Sequence, residues 1–257
     1  FVWNQMVYQF KALCFGITMA PCAFTLVFRP LSVWAHKHGI LLTRYLDDWL
    51  IAASSREQAR SDTNVVLHLC QRLGLVINLS KSELQPSRQM VYLGMYVDSQ
   101  QLKVWPTEKR VDKFLRVLHP FAVGEKLPAV RFLCLLGHMV SFEKIVPGAR
   151  LRMRALQFHL RDNWHRPQPI LTEVTVPPDL MPDLLWWRSR DNLMQGRSLH
   201  EPTPDHLLFT DASQQGWGAH LGDLQAAEDL PHINFLELQA VWEGLKCFLQ
   251  FVRDSAV

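Results

Sequence analysis

Two short apolar runs on either side of an acidic dipeptide place the strongest constraint on the fold of this chain. The runs cover residues 40–45 and 49–53, and Leu46, Asp47 and Asp48 lie between them. Two such runs separated by so few residues are typical of two strands joined by a tight turn. Neighbouring residues of a strand point to opposite faces, so adjacent carboxylates converge only where the chain turns. The sequence therefore predicts a β-hairpin with Asp47 and Asp48 at its tip.

Paired carboxylates at the tip of an apolar hairpin suggest a metal site. Ionised carboxylates repel each other unless a cation or a proton lies between them. Oxygen ligands of this kind suit Mg²⁺ (or Mn²⁺), and Mg²⁺ commonly binds substrate phosphates as well. A plain Asp-Asp turn, with no ligand, is the alternative, and residues 45–48 alone do not decide between the two.

The rest of the first hundred residues predicts alternating strands and short helices. We expect a hairpin over residues 1–10 that turns at Asn4-Gln5, and a helix over 18–36. Ser54 and Glu57 have the spacing of a capping box, for a helix that ends at Gly74. Further strands are expected near residues 75–77, 91–97 and 102–105.

The pattern becomes helical after Pro106, with segments near 107–118, 128–142 and 147–164. Basic residues are dense in this part. A basic helical region can follow a phosphate backbone, but solvated helix faces have the same composition. The basic residues are Lys109, Arg110, Lys113, Arg116, Lys126, Arg131, Lys144, Arg150, Arg152, Arg154 and Arg161.

Residues 165–206 are rich in proline and are expected to form a connector that contains a domain boundary. Trp186-Trp187 within it indicates local packing rather than a stacking surface for bases. Strands are then expected over 207–211 and from 216 to 221, and a helix over 234–252.

Composition limits the class of protein. The 257 residues include 48% hydrophobic and 20% charged residues, which is typical of one large or two smaller globular domains. No apolar run is long enough for a membrane span, and the N-terminus has no secretory signal pattern. Five scattered cysteines favour a reducing compartment, so we expect an intracellular protein, cytoplasmic or nuclear. A start at Phe1 without Met suggests a fragment of a longer protein.

Four segments resemble the palm of reverse transcriptases in their order and spacing. They are Leu13-Cys14-Phe15-Gly16-Ile17-Thr18-Met19-Ala20-Pro21 with Phe24, then Tyr45-Leu46-Asp47-Asp48, then Asn78-Leu79-Ser80-Lys81-Ser82, and finally Tyr92-Leu93-Gly94. Together with the C-terminal segments described below, the chain is similar to the polyproteins of DIRS-type retrotransposons, which also encode a tyrosine recombinase for DNA recombination.

The resemblance implies roles for individual residues. Asp47 and Asp48 look like metal-site carboxylates of a nucleotidyltransferase that uses two metal ions. Lys81 resembles a lysine that protonates the pyrophosphate leaving group, although a surface lysine after a turn explains it equally. The remaining substrate-binding positions that the resemblance implies are Phe15, Gly16, Tyr45, Leu46, Tyr92, Leu93 and Gly94. The last three look like a primer grip, but core packing is an alternative for Tyr92 and Leu93.

A second set of motifs resembles the start of an RNase H domain. Asp211 ends a predicted strand, residues 216–219 follow, and Glu237 lies 26 residues after Asp211 (237 − 211) on a predicted helix. In that family a cluster of carboxylates binds two metal ions and cleaves the RNA strand of a hybrid. The alternatives are a turn aspartate for Asp211, and for Glu237 a capping box with Asn234.

We therefore expect an α/β fold: a partial reverse-transcriptase palm, a helical thumb or connection region, and a truncated RNase H-like fold. The expected domains are 1–105 (palm), 106–165 (thumb-like), 166–206 (connector) and 207–257 (start of RNase H). The expected function is RNA-directed DNA synthesis with associated RNase H, acting on RNA/DNA primer-template and dNTPs, with no membrane partner. The fragment itself is expected to be inactive, because the palm aspartate upstream and the later RNase H carboxylates are not in the sequence. The alternative is a non-catalytic nucleic-acid-binding or scaffold protein derived from a retroelement, and the oligomeric state is left open.

Overall fold

The computed structural model describes residues 1–14, 16–200, 203–213, 216–228 and 233–253. The chain divides into two units, Phe1–Leu199 and His200–Val257, called here the first and the second unit. In the described residues, no helix combines the length and the apolar character needed to cross a bilayer.

The first unit opens with the predicted hairpin. Strands β1 (Val2–Trp3) and β2 (Met6–Val7) pair antiparallel, and Asn4 and Gln5 form the turn with positive φ angles of 48° and 62°. Helix α1 (Ala20–Lys37) follows, with a proline in its first turn. A proline is tolerated there because the N–H groups of the first turn have no intrahelical partner.

A second hairpin packs between two helices. It consists of β3 (Leu41–Tyr45) and β4 (Asp48–Ala52), and α2 (Arg56–Arg72) comes next. The buried residues of α1, α2 and the hairpin form one apolar cluster, which positions the hairpin against both helices. Its members are Leu31, Ala35, Ile40, Leu42, Val66 and Cys70.

The start of α2 and the segment after it differ from the prediction. Ser55, not Ser54, is the N-cap, and its hydroxyl accepts a hydrogen bond from the Gln58 N–H at 3.1 Å. The helix ends as predicted at Gly74, whose φ is 71°. Residues 75–77 form no strand, because Leu75 donates its N–H back to the Cys70 carbonyl and closes the helix end.

A four-stranded antiparallel sheet follows. The predicted strand over 91–97 is in fact a hairpin, β5 (Gln89–Tyr92) and β6 (Met95–Asp98). Leu93 and Gly94 have positive φ angles of 51° and 72° and form the two-residue turn between the strands. β7 (Lys103–Pro106) pairs with β6, and the short β10 (Arg197–Ser198) pairs with β7. The strand order is therefore β10-β7-β6-β5, with β10 and β5 at the edges.

Helices form most of the remainder of the first unit, as predicted for 107–164, and two further helices lie in the segment expected to be a connector. They are α3 (Glu108–Leu118), α4 (Ala129–Phe142), α5 (Ala149–Arg152), α6 (Arg154–Asn163), α7 (Met181–Arg188) and α8 (Arg190–Met194), with β8 (Lys126–Pro128) paired to β9 (Glu173–Thr175).

Much of the proline-rich segment packs into this helical core. It supplies β9, α7, α8 and β10. Trp187 is fully buried against Phe114 and Phe142, and its indole N–H donates to the Arg152 carbonyl at 3.1 Å. Packing, rather than base stacking, accounts for this tryptophan.

The second unit contains a three-stranded antiparallel sheet, β11 (Leu208–Ala212), β12 (Trp217–Leu221) and β13 (Leu224–Glu228). Helix α9 (Ile233–Cys247) packs on one face of it, and α10 (Leu249–Val252) follows. The sequence predicts the first two strands but not β13, and it predicts one continuous helix in place of two. A mixed α/β architecture is thus confirmed for both units.

Candidate active site

The hairpin of β3 and β4 carries the paired carboxylates at its tip. Tyr45 pairs with Asp48 across the strands, so that Leu46 and Asp47 form the two-residue turn. Leu46 has a φ of 52°, in the left-handed region that favours glycine. The Trp49 indole N–H donates to the Leu46 carbonyl at 3.1 Å and closes the turn. The predicted hairpin is therefore present.

Both carboxylates face solvent. Asp47 and Asp48 are exposed, and within the described residues no group of three or more His, Cys, Asp and Glu side chains is placed to hold a metal ion. Two exposed carboxylates fit Mg²⁺, which often takes one or two protein carboxylates and completes its shell with water and substrate phosphates.

Tyr92 joins a second sequence motif to this tip. Its hydroxyl donates to the backbone carbonyl of Asp48 at 3.3 Å, across 44 residues of sequence. Burial raises the pKa of the Tyr92 phenol, and the negative charge of Asp48 raises it further. The structure thus brings the Tyr92 side chain, which precedes the turn at Leu93-Gly94, into contact with the acidic hairpin.

Arg44 of β3 links the hairpin to α1, a role that the sequence motifs do not indicate. Its guanidinium donates to the Ser32 hydroxyl and lies 5.9 Å and 5.8 Å from the ring centres of Phe28 and Trp49. Burial lowers the pKa of Arg44. Arg44 is the one charged residue of β3, and this is the sequence signal that could have pointed to it.

Two other palm positions, Gly16 and Lys81, fall within the described residues, where they form no described contact with the tip. Gly16 is exposed with a φ of 89°, and Phe15 lies outside the described residues. Lys81 ends a short 3-10 turn, Leu79–Lys81, and is exposed. The roles of these three residues stay predictions.

In the second unit, Asp211 is exposed in β11, and its carboxylate accepts a hydrogen bond from the Ala212 N–H at 2.9 Å. The side chains of Thr210 and Ala219 face Gly244 of α9. Asp211 follows Thr210 in the strand, so its side chain points to the other face of the sheet, away from α9. Phe209 and His220 stack beside it on that face, with ring centres 4.6 Å apart.

Glu237 is exposed on α9. The helix already includes Ile233, so Asn234 is inside it and does not occupy the N-cap that a capping box requires. The capping-box alternative for Glu237 is therefore wrong. Its predicted role in metal binding stays a prediction.

Comparison with known families identifies the part of the chain that carries the hairpin. Residues 2–97 match the family model described as reverse transcriptase (RNA-dependent DNA polymerase). Two strains of duck hepatitis B virus have a Protein P that is 26% and 25% identical to this chain over 123 residues. Those matches cover 48% of the chain but only 15% and 14% of the viral proteins, so the chain spans about a seventh of their length.

Solved structures show the same fold over nearly the whole chain. The foamy viral protease-reverse transcriptase in complex with RNA/DNA hybrid aligns with a TM-score of 0.60 at 14% identity, covering 97% of this chain and 33% of that one. The same enzyme in complex with dsDNA aligns with a TM-score of 0.55 at 15% identity, covering 94% and 48%. The predicted resemblance to a reverse transcriptase is confirmed at the level of the domain and the fold.

Proposed function

We propose that this chain is the part of an RNA-directed DNA polymerase that carries the metal-binding hairpin of the palm. The juxtaposition of Tyr92 with the carbonyl of Asp48 carries the proposal, because it places two separate motifs of the matched region around one tip. The substrates are an RNA/DNA primer-template and dNTPs. The foamy viral enzyme, whose structures hold RNA/DNA hybrid in one case and dsDNA in the other, supports the choice of nucleic acid.

Asp47 and Asp48 are the residues that hold Mg²⁺ or Mn²⁺ in this proposal. When bound, the metal supplies charge stabilisation at the phosphates during phosphoryl transfer. The protein's own contribution is the fixed turn: Trp49 closes it, and Tyr92 holds the Asp48 backbone in place. Polymerisation by this chain alone is expected to be absent, since the described residues place no third carboxylate beside the pair.

Metal-dependent binding of a labelled RNA/DNA hybrid tests the proposal. Fluorescence anisotropy is measured at constant ionic strength, because binding to phosphates depends strongly on salt. Mg²⁺ is expected to tighten binding by the wild-type chain, and Asp47→Asn/Asp48→Asn is expected to lose about tenfold or more of that gain, the loss typical of a damaged metal site. In EDTA the variant should bind at least as well as the wild type, because two negative charges have been removed near the phosphates.

A matched variant separates the site from simple charge. Glu57→Gln/Glu125→Gln removes the same number of negative charges at two exposed positions outside the hairpin, one in the first turn of α2 and one just before β8, and should keep the full Mg²⁺ effect. If the affinity for the hybrid changed neither with Mg²⁺ nor with Asp47→Asn/Asp48→Asn, the polymerase proposal would be contradicted. This result would favour a non-catalytic nucleic-acid-binding or scaffold protein.

For the second unit we propose the opening part of an RNase H domain. The support is the order of its elements, three antiparallel strands followed by a helix on one face, with Asp211 in the first strand and Glu237 in the helix. RNA-strand cleavage in a hybrid, measured with Mn²⁺, is the relevant activity. Cleavage by a longer chain that survives Asp211→Asn and Glu237→Gln would exclude these carboxylates from the site.

The proposed source is the polyprotein of a DIRS-type retrotransposon, in which 1–105 is palm, 106–165 thumb-like, 166–206 connector and 207–257 the start of RNase H. The proposed location is the cytoplasm or the nucleus. The order of the motifs in the sequence supports the DIRS-type source, and the five scattered cysteines support the location. A parent gene without an associated tyrosine recombinase would contradict the DIRS-type assignment.

A further inference from the structure

Arg110, on the first turn of α3, lies next to the turn that follows Tyr92. One terminal guanidinium nitrogen donates to the Leu93 carbonyl at 3.3 Å, and the other donates to the Ser141 carbonyl at 2.5 Å. The guanidinium carbon lies 4.9 Å from the centre of the Phe142 ring. One side chain therefore connects three elements: the β5–β6 turn, α3 and the end of α4.

The partners of Arg110 explain why an arginine is needed. Ser141 is next to last in α4, where helix carbonyls lack intrahelical partners and carry the negative end of the dipole. Leu93 lies in the turn itself, outside the paired register of β5 and β6. The planar guanidinium suits this position, because its separate donors reach two such carbonyls while its flat face covers an aromatic ring.

Arg110 is partly buried, unlike most of the other basic residues of the helical region. Desolvation lowers the pKa of its guanidinium. The nearby His138 ring has a lowered pKa, first through burial and then through the positive charges of Lys113 and Arg110. Arg110 is thus committed to protein carbonyls and is not one of the solvated cations available to a phosphate backbone.

The contacts continue from Arg110 to the acidic tip. Leu93 follows Tyr92 directly, and the Tyr92 hydroxyl donates to the Asp48 carbonyl. Gly94, with a φ of 72°, lies against the Arg110 side chain, since a Cβ there would be 3.7 Å from the Arg110 Cδ. We propose that Arg110 is a positioning residue, which holds the Leu93-Gly94 turn and, through Tyr92, the backbone of Asp48. Its importance for nucleic-acid binding rests on the proposed function.

Three variants test this proposal. Arg110→Met keeps the aliphatic stem and removes both donors, Arg110→Lys keeps the charge but not the fork, and Val111→Ala destabilises the same helix from a fully buried position. Hydrogen exchange of the backbone amides in 91–97 is measured first. Arg110→Met should speed exchange there by about tenfold, because the turn loses one charge-assisted hydrogen bond. The exchange rate of Arg110→Lys should lie between those of Arg110→Met and the wild type.

A double-mutant cycle with Tyr92→Phe gives the second readout, Mg²⁺-dependent hybrid binding. Each single variant should weaken the Mg²⁺-dependent gain, and the double variant should lose little more than the larger single loss, because both act through one connection. Additive losses would overturn the proposal. So would exchange in 91–97 that responds to Val111→Ala as strongly as to Arg110→Met.

The two readouts keep the proposals separable. If the wild-type chain binds the hybrid without any metal effect, the proposed function fails, and the exchange measurement still decides whether Arg110 holds the turn. Normal exchange in Arg110→Met would then refute the positioning role independently of nucleic acid.

Discussion

Asp98 lies at the end of β6, where its side chain is buried and accepts three hydrogen bonds. The backbone N–H groups of Gln100 and Gln101 donate at 2.7 Å and 2.8 Å, and the Gln89 side-chain amide donates at 2.7 Å. The bond from Gln101 is the largest cause of a lowered Asp98 pKa, followed by the bond from Gln89, while burial acts in the opposite direction. The ionised carboxylate therefore fixes the connection between β6 and β7.

The lowered pKa predicts how stability changes with pH. A carboxyl group with a folded pKa below its ordinary value of about 3.9 stabilises the fold above that pH, and the contribution is lost as the pH falls towards the folded pKa. Asp98→Asn should therefore melt at a lower temperature than the wild type at neutral pH. The difference should shrink as the pH is lowered below about 4.

Thermal denaturation followed by circular dichroism measures this effect. Asp179→Asn, at an exposed carboxylate of the same unit, is the matched control and should change the melting temperature little at any pH. If the difference in melting temperature between the wild type and Asp98→Asn stayed constant over the acidic range, the hydrogen bonds would not favour the ionised form of Asp98.

At the scale of elements, the contact between α9 and its sheet depends on Gly244. A Cβ at this position would lie 2.8 Å from the Cβ of Ala219 in β12, closer than two such atoms pack. Gly244→Ala gains up to about 1 kcal/mol of helix propensity, but overpacking costs about 1–3 kcal/mol, so we expect net destabilisation of the second unit. Adding Ala219→Gly should recover most of the loss. Urea denaturation measures both variants.

Gly137 provides the control, because it lies inside α4 and a Cβ added there would meet no described atom within 4 Å. Gly137→Ala should stabilise the chain by about 0.5–1 kcal/mol through propensity alone. If Gly244→Ala also stabilised the chain, the close approach of α9 to β12 would be refuted.

The sequence predicts most of these elements because their signals are local. The acidic hairpin at 40–53 and the helices after Pro106 follow from apolar periodicity, and the end of α2 follows from Gly74. The strand expected at 91–97 becomes two strands because Leu93, a residue that rarely takes positive φ, occupies the turn beside Gly94. Gly94 is a local signal for an interruption of the strand, but the pattern does not predict a positive φ at Leu93.

The site is predicted less completely than the fold, because its support comes from distant residues. Asp47 and Asp48 are identified from their position between two strands. Arg44 and Arg110 are not identified, since their roles depend on Ser32 and Phe28 in one case and on Leu93 and Ser141 in the other. Tyr92 is placed in a motif by sequence, but its contact with Asp48 spans 44 residues and appears only in three dimensions.

At the scale of the whole molecule, two units with separate cores share one chain. The first contains the region matched to reverse transcriptases, residues 2–97, and continues through the helices to Leu199. The second has its own sheet and apolar cluster. A metal bound at the hairpin therefore has to be distinguished from metal bound by carboxylates of the second unit, such as Asp211.

Electron paramagnetic resonance of Mn²⁺ makes that distinction directly, since the signal of free Mn²⁺ falls as the ion binds protein. Titration of the wild-type chain should remove Mn²⁺ from solution. The Asp47→Asn/Asp48→Asn variant should lose that binding, while Glu57→Gln/Glu125→Gln and Asp211→Asn retain it. Equal Mn²⁺ binding by the wild type and Asp47→Asn/Asp48→Asn would contradict a metal site at the acidic hairpin.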